Sequence, residues 1–158
     1  MSQLSTATIY LDSSALVKRY MVEAGTRWVQ SLCDDPNQTI AIAEVGLVEV
    51  AAAFAGKLRG GLITPPTYRN VRADLVADVQ KEYVLVAVVR SVVDEAMDLT
   101  SRHRLRGYDA IHLACTLPLN RALVANAFPP LIFVSADDDL LIAAAAEGLL
   151  TDNPTAHP

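Results

Sequence analysis

Short runs of β-branched and aromatic residues alternate with longer segments of helical periodicity, and this alternation constrains the fold more than any other feature of the chain. Four runs have the length and composition of buried strands: TIYLD (8–12), TIAIAEV (39–45), YVLVAVV (83–89) and LIFVSA (131–136). Strands separated by helices require crossover connections, which produce a mainly parallel sheet covered on both faces. The sequence therefore predicts an α/β fold.

The helices and their ends are predicted from periodicity and from proline and glycine. Helices are expected over 46–60, 67–81 and about 91–102, and over 108–125 with an end or a bend at Pro118. The pair Gly60-Gly61 closes the first of these helices. Ser13 or Ser14 is expected to cap the helix that follows the first strand.

Bulk composition bounds the domain organisation. A chain of 158 residues, 52% of them hydrophobic, fits one domain over 1–158 with a folded core over about 7–150, and the tail TDNPTAHP (151–158) is expected to fray. The start MSQLSTA lacks the features of a secretory signal, and no run is long enough to span a bilayer. A cytoplasmic protein without membrane association is expected.

Cysteine usage and net charge exclude further classes. Cys33 and Cys115 are far apart and lack metal-ligand spacing, so both thiols are expected to stay reduced. A formal net charge of −5 argues against nonspecific coating of nucleic acid, although it averages over the surface and can hide a basic face.

Four acidic residues stand at positions that the fold pattern makes unusual. Asp12 follows the first strand and Asp137 follows the last clear one, so both project from the carboxyl edge of a parallel sheet. Glu49 lies inside the otherwise apolar stretch LVEVAAAF, where a carboxylate is costly, and Asp109 opens the helix DAIHLACTL. The pattern predicts that the four carboxylates converge.

Each acid also has a structural interpretation, and these alternatives stay open. Asp12 and Asp109 are suitable helix caps, and the run 137–139 contains a cap followed by solvated first-turn acids. For Glu49 the alternatives are solvent exposure or a basic partner. The joint pattern carries more weight than any single acid.

Carboxylates gathered in this way repel one another, and each has a raised pKa unless a cation neutralises the set. Mg²⁺ or Mn²⁺ takes oxygen ligands, keeps several waters, and is held by carboxylates together with substrate phosphate. Such a site favours phosphodiester hydrolysis by a metal-bound water, with one ion or two. A haloacid-dehalogenase-like phosphatase is disfavoured, because Ser14 stands where its second aspartate is required.

Four segments together resemble the VapC-like toxin ribonucleases of type II toxin–antitoxin systems, which are PIN-domain proteins: IYLDSSALVKRY (9–20), LVEVAAAF (47–54), LRGYDAIHLA (105–114) and FVSADDDLLIAAAAEGL (133–149). The resemblance spans nearly the whole chain. It implies a three-layer α/β/α fold and a magnesium- or manganese-dependent endoribonuclease that hydrolyses RNA. It also implies homodimerisation and inhibition by a small VapB-like antitoxin.

The resemblance assigns the site residue by residue. The acids that match the family's catalytic and metal-binding quartet are Asp12, Glu49, Asp109 and Asp137. Ser13 matches the family's small hydroxyl after the first acid, with a helix cap as its alternative role, and Asp139 ranks below Asp137 as a supplementary ligand. Glu44 replaces a hydroxyl residue common in the family and is a minor rival to Glu49.

Basic residues just before Asp109 are candidates for binding RNA. Arg102, Arg104 and Arg106 form the densest basic cluster of the chain, with solvated helix ends as the equal alternative. His112 lies one helical turn after Asp109, but a histidine within AIHLAC is more often structural and is left outside the catalytic set. The rival function is a catalytically inactive PIN-like module that binds RNA or antitoxin. The complete acidic set favours the nuclease.

Overall fold

The computed structural model describes residues 6–158; the first five residues, part of the start judged to lack a secretory signal, lie outside that range. The described residues form five strands: β1 Ala7–Leu11, β2 Gln38–Ala43, β3 Tyr83–Val86, β4 Ile132–Val134 and β5 Leu150–Asp152. Seven α-helices accompany them over 6–158: α1 Ser13–Tyr20, α2 Thr26–Asp34, α3 Glu44–Arg59, α4 Pro65–Lys81, α5 Arg90–Arg102, α6 Gly107–Ala125 and α7 Asp138–Ala146. A 3₁₀ turn, Pro154–Ala156, follows.

The strands form one parallel sheet in the order β3-β2-β1-β4-β5, which confirms the predicted α/β class. Ile9 in β1 pairs with Ile40 of β2 on one side and with Ile132 of β4 on the other. The chain builds outward from β1 through β2 to β3 and then crosses to the opposite side with β4. The carboxyl ends of β1 and β4 therefore flank a switch point, where parallel sheets bind ligands.

Alternation along β1 divides the core between the two faces of the sheet. Ile9 and Leu11 pack on one face in a cluster that includes Leu16 and Phe54 of α1 and α3. Tyr10 packs on the other face in a second cluster formed largely by α5, α6 and α7. Helices thus cover both faces, and the fold is the predicted three-layer arrangement.

Most of the predicted strands and helices differ from the structure by one or two residues at an end, and two differences are larger. β3 ends at Val86 rather than at residue 89, because its partner β2 ends at Ala43, where α3 begins. α6 continues through Pro118 to Ala125. Its apolar residues pack against the core on both sides of the proline, Leu117 before it and Leu123 after it, and this packing holds the two halves together.

The tail that was expected to fray is ordered. Residues 150–152 form the edge strand β5, and beyond it the His157 ring stacks on Trp28 with centroids 4.2 Å apart. Pro154 is buried against Gly25, whose φ of 87° and close backbone contact exclude a side chain there. These partners are distant in sequence, so the local composition of the tail gave no sign of them.

Two further expectations concern membranes and cysteines. Among residues 6–158, no helix is long and apolar enough to cross a membrane. Cys33 and Cys115 are both free thiols. Burial raises the pKa of each thiol to about 11, which keeps both protonated at neutral pH.

Candidate active site

Asp12 lies in the middle of the carboxyl edge of the sheet, where β1 ends and α1 begins. Its backbone N–H donates to the Val134 carbonyl of β4 (3.1 Å), and its Oδ1 accepts from the Ala15 N–H (2.9 Å). Asp12 is therefore the N-cap of α1, and neither Ser13 nor Ser14, the expected caps, has that role. Its position as a cap and its position at the switch point are compatible.

The Asp12 carboxylate is buried, with 3% of the residue exposed, and hydroxyl groups hold it. Ser14 Oγ donates to Oδ1 (2.7 Å) and Ser135 Oγ donates to Oδ2 (2.6 Å). Burial raises the pKa of the Asp12 carboxyl, and the two serine hydrogen bonds offset this effect only in part. Within residues 6–158 no lysine or arginine pairs with Asp12, so its charge lacks a close cation.

Glu49 projects from α3, and both of its carboxylate oxygens are engaged. Ser13 Oγ donates to Oε2 (3.1 Å), while His112 Nε2 lies 2.5 Å from Oε1. Burial raises the pKa of Glu49, but the hydrogen bonds from His112 and Ser13 outweigh burial and lower it overall. Glu49 is therefore ionised at neutral pH. Glu44, the rival position, is exposed at the start of α3.

Arg106 links the two remaining acids. Its Nε donates to Asp109 Oδ2 (3.1 Å), and its Nη2 lies 3.7 Å from Asp137 Oδ2. Asp137 caps α7, because its Oδ1 accepts from the Asp139 N–H (3.0 Å) and the Leu140 N–H (3.2 Å). The hydrogen bond to Asp109 raises the pKa of Arg106, whose side chain is 83% exposed. Such an exposed pair is weak, so the guanidinium is free to move.

An open cavity of about 450 Å³ lies beside these groups; its walls are Arg104, Leu105, Arg106, Asp109, Asp137, Asp139 and Leu140. Asp139 is exposed on the wall and does not contact Asp12 or Glu49. Of the predicted basic cluster, Arg104 and Arg106 line this cavity and Arg102 does not. Arg102 lies away from the cavity, in ion pairs with Glu147 (3.1 Å) and Glu95 (3.7 Å).

The four predicted acids line one edge but do not share one coordination sphere. Ser135 joins Asp12 to Asp137, whose N–H donates to the same hydroxyl (3.0 Å), and Arg106 joins Asp137 to Asp109. Across residues 6–158, no three His, Cys, Asp or Glu side chains are close enough to hold a metal ion in this conformation. The four acids thus lie along one edge of the sheet, as predicted, but they do not form a preformed set of metal ligands. Serine hydroxyls and Arg106 bind their carboxylate oxygens instead.

Two hydroxyls at the site were not predicted. Ser14 and Ser135 both donate to Asp12, and Ser14 Oγ also accepts from the Ala136 N–H (2.9 Å). The signal for Ser135 was its place directly after the last clear strand, two residues before Asp137. His112 was predicted to be structural, and it is buried; its contact with Glu49 could not be predicted, because the two residues lie 63 apart in the chain.

The donor set fits a hard divalent cation. Every acidic group at the edge offers oxygen, the ligand atom that Mg²⁺ and Mn²⁺ prefer. Asp109 and Asp137 already share a positive group, Arg106, whereas the buried Asp12 has none. A cation placed among Asp12, Asp109 and Asp137, with Glu49 as a further ligand, would neutralise charges that the fold leaves only partly compensated.

Comparison with known proteins identified two curated relatives with similar sequences. No protein-family model matches this chain. It is 30% identical over 109 residues to Ribonuclease VapC45 of Mycobacterium tuberculosis (strain CDC 1551 / Oshkosh), an alignment that covers 69% of this chain and 74% of that protein. Ribonuclease VapC49 of Mycobacterium tuberculosis (strain ATCC 25618 / H37Rv) matches to the same extent.

Solved structures share the fold at low sequence identity. One is Mycobacterium tuberculosis VapC20, described as a Sarcin–Ricin loop cleaving toxin, with a TM-score of 0.61 and 14% identity over 90% of this chain and 96% of that one. Another is a toxin–antitoxin complex from Klebsiella pneumoniae, with a TM-score of 0.53 and 17% identity over 82% of this chain and 86% of that one. At these identities the similarity establishes the architecture alone.

Proposed function

This chain belongs to the VapC-like family of PIN-domain toxin ribonucleases, and from that premise we propose that it is a metal-dependent endoribonuclease of a toxin–antitoxin module. The observation that carries the proposal is the acidic edge at the switch point between β1 and β4. Asp12 is buried there without a lysine or arginine partner within residues 6–158, and three further carboxylates lie at the same edge of the sheet. A buried acid that costs stability is typical of a functional site.

Within this proposal, Asp12, Asp109 and Asp137 hold Mg²⁺ or Mn²⁺, and Glu49 completes the acidic set. The ion, when bound, lowers the pKa of a water ligand and stabilises charge on the reacting phosphate. Ser14 and Ser135 fix the Asp12 carboxylate, and Ser13 fixes one oxygen of Glu49. Asp139 is close enough to the cavity to bind an outer water.

Arg106 is the chain's own counter-charge for the pair formed by Asp109 and Asp137. Its side chain is exposed and its contacts with the two carboxylates are 3.1 and 3.7 Å. Because a cation among the acids replaces this charge, Arg106 can turn toward the cavity and meet an RNA phosphate. Within residues 6–158, no serine or cysteine at this edge hydrogen-bonds a histidine or lysine, because Ser13, Ser14 and Ser135 all donate to carboxylates that the proposal assigns to the cation. This favours attack by water without a covalent intermediate.

The proposal is tested by sequencing RNA ends after a brief pulse of expression. The wild-type chain is compared with Asp109→Asn, which removes one proposed ligand and keeps the side-chain shape. New RNA ends at defined positions with the wild type alone support an endoribonuclease and identify its RNA. Identical RNA ends in both cultures would count against the assignment, and they are the outcome expected of a catalytically inactive binding module.

Arg104 is the residue of the basic cluster that is best placed to bind RNA. It lines the acidic cavity and forms no ion pair within residues 6–158, whereas Arg102 is held by Glu147 and Glu95. We predict that Arg104→Ala weakens RNA binding in EDTA and lowers the salt slope by about one unit. Arg102→Ala serves as the control with little change. Equal effects of the two variants in a fluorescence anisotropy titration would remove Arg104 from the RNA surface.

We propose that the antitoxin binds in an apolar groove of about 350 Å³ between α3 and α4. Its lining residues are Leu47, Val48, Ala51, Leu75, Val76 and Val79, with Arg72 and Gln80 at the rim. Val48 and Val76 line the groove and are 69% and 52% exposed, and a contiguous exposed apolar surface of this kind is typical of an interaction site. An amphipathic helix with an acidic residue opposite Arg72 fits this surface.

Val76→Asp tests the groove. A charge there should weaken antitoxin binding by about 10-fold or more, because a central apolar contact is replaced by a desolvated carboxylate. The measurement is co-purification with the product of a small reading frame adjacent to the gene of this chain, followed by titration calorimetry. Val22→Asp is the matched control, since Val22 is 95% exposed and outside the groove. Equal affinities of the two variants would show that the antitoxin binds elsewhere.

Homodimerisation is also part of the proposal and rests on the family. Light scattering of the purified chain measures it directly, and a monomer at micromolar concentration would contradict it.

A further inference from the structure

We propose that His112 is a positioning residue that holds the Glu49 carboxylate in one orientation at the acidic edge. His112 is itself held in place by Tyr10. The inference rests on the proposed function, since it gives Glu49 a fixed place in the active site. It gives His112 a role beyond filling the core, although His112 does not touch the substrate. The observations are a hydrogen-bonded chain of three side chains and a close helix contact.

The chain of hydrogen bonds uses both ring nitrogens of a fully buried imidazole. His112 is 1% exposed; its Nδ1 lies 2.7 Å from Tyr10 Oη and its Nε2 lies 2.5 Å from Glu49 Oε1. Tyr10 is itself fully buried and stacks on Phe133 with ring centroids 5.3 Å apart. The phenol therefore anchors the imidazole to the centre of the sheet.

The hydrogen-bonding capacity of the partners determines which nitrogen carries the proton. A carboxylate only accepts, so Nε2–H donates to Glu49. Burial raises the pKa of the Tyr10 phenol well above its ordinary value, so its O–H remains a donor and Nδ1 accepts from it. Nε2–H is therefore the donor of the ring and Nδ1 its acceptor, and a flipped ring would leave buried groups without partners.

Gly46 fixes the distance between the imidazole and α3. A Cβ atom at Gly46 would lie 3.3 Å from His112 Cε1, which is closer than ordinary van der Waals contact. Gly46 and Glu49 are three residues apart and share one face of α3. The helix can therefore approach the ring closely enough for the short hydrogen bond to Glu49.

The Glu49 carboxylate is held by hydrogen bonds to both of its oxygens. His112 binds Oε1 and Ser13 binds Oε2, so a flexible side chain on a helix is held with both oxygens at defined positions. Preorganised groups of this kind act without reorientation when charge develops in the transition state. Loss of the His112 donor should therefore lower kcat more than it changes KM.

Two amide variants distinguish the hydrogen bond made by Nε2 of the imidazole from the one made by Nδ1. His112→Gln places an amide donor near the Nε2 position and keeps the bond to Glu49, whereas His112→Asn places its amide near Nδ1 and loses that bond. We expect His112→Asn to lower kcat by about 10-fold or more with KM little changed, as for other residues that hold a metal ligand in place. His112→Gln should recover most of the activity.

A measurement without turnover accompanies the kinetics. Recorded at a pH where the ring holds a single proton, ¹⁵N NMR of the metal-free chain should show the His112 proton on Nε2 and none on Nδ1. In Tyr10→Phe the Nδ1 signal should shift, because its hydrogen-bond donor is lost. A proton on Nδ1 in the wild type overturns the proposal whether or not the protein cleaves RNA.

The outcomes distinguish this inference from the proposed function. Absence of RNA cleavage by the wild type contradicts the nuclease, while the NMR spectrum still decides the hydrogen-bond chain. Wild-type cleavage with equal kcat for His112→Asn and His112→Gln overturns the positioning role. If His112→Asn does not fold, Tyr10→Phe replaces it in the kinetic test, and unchanged kcat in that variant together with an unshifted Nδ1 signal contradicts the proposal.

Discussion

Asp12→Asn should reduce the rate of metal-dependent RNA cleavage by at least about 100-fold, since replacing residues that only support a metal ligand already costs about 10- to 100-fold. The asparagine keeps one oxygen for the Ala15 N–H and the Ser14 hydroxyl, and its amide can meet the Ser135 hydroxyl, which can turn to accept. The charge needed by a divalent cation is lost. The measurement is the initial rate of cleavage of a labelled RNA with Mg²⁺ or Mn²⁺.

The variant should remain folded, and this separates chemistry from stability. Burial raises the pKa of Asp12, which means that the fold disfavours its charge, so a neutral amide of the same shape carries no such penalty. Thermal unfolding of Asp12→Asn should therefore occur at a temperature no lower than that of the wild type without metal. Asp74→Asn, on the exposed surface of α4, is the matched control for rate. Full activity of Asp12→Asn would remove Asp12 from the site.

Phe133→Ala should lower the free energy of unfolding by about 3 to 5 kcal/mol, a large part of the roughly 5 to 15 kcal/mol typical of a domain. Phe133 lies in the inner strand β4, is fully buried, and stacks on Tyr10 with an interplanar angle of 18°. Its removal leaves a cavity between the sheet and the helices of the second face. Urea unfolding followed by circular dichroism measures the change.

Phe128→Ala is the matched control, because it deletes the same ring at a position that is 55% exposed. We expect a change of about 0.5 kcal/mol or less for that variant. Equal destabilisation by the two substitutions would contradict the described core on the α5–α6–α7 face of the sheet.

The placement of the acids was predictable from local patterns combined with one topological rule. Asp12 and Asp137 each follow an apolar run, and the carboxyl ends of parallel strands share an edge. Glu49 was separated from Glu44 by its apolar neighbours, and the structure places Glu49 against Ser13 and leaves Glu44 exposed. The catalytic roles of these acids remain predictions.

The side-chain partners could not be predicted, because they depend on residues far apart in the chain. Ser135 binds Asp12 across 123 positions, and His112 binds Glu49 across 63. Spacing in sequence carries no record of such contacts. The ordered tail has the same cause: β5 exists only because β4 offers its edge, and His157 is held by Trp28.

Arg106 shows why convergence of carboxylates is not the same as a preformed metal site. The sequence placed Arg106 three residues before Asp109, as a candidate for RNA binding. In the fold its guanidinium lies between Asp109 and Asp137, where it supplies the charge that a divalent ion would bring. Arg106, a residue of the basic cluster, is thus also the counter-charge of two carboxylates at the acidic edge.

In the proposed function, the acidic edge binds a divalent cation and uses it to cleave RNA. The purified wild-type chain is treated with EDTA to remove bound metal and is then exchanged into chelator-free buffer. RNA cleavage is followed while Mg²⁺ or Mn²⁺ is added back. We expect no cleavage by the stripped chain and saturable recovery with added metal, with Asp12→Asn inactive throughout. Undiminished cleavage by the stripped chain, or equal recovery in Asp12→Asn, would contradict the proposed function.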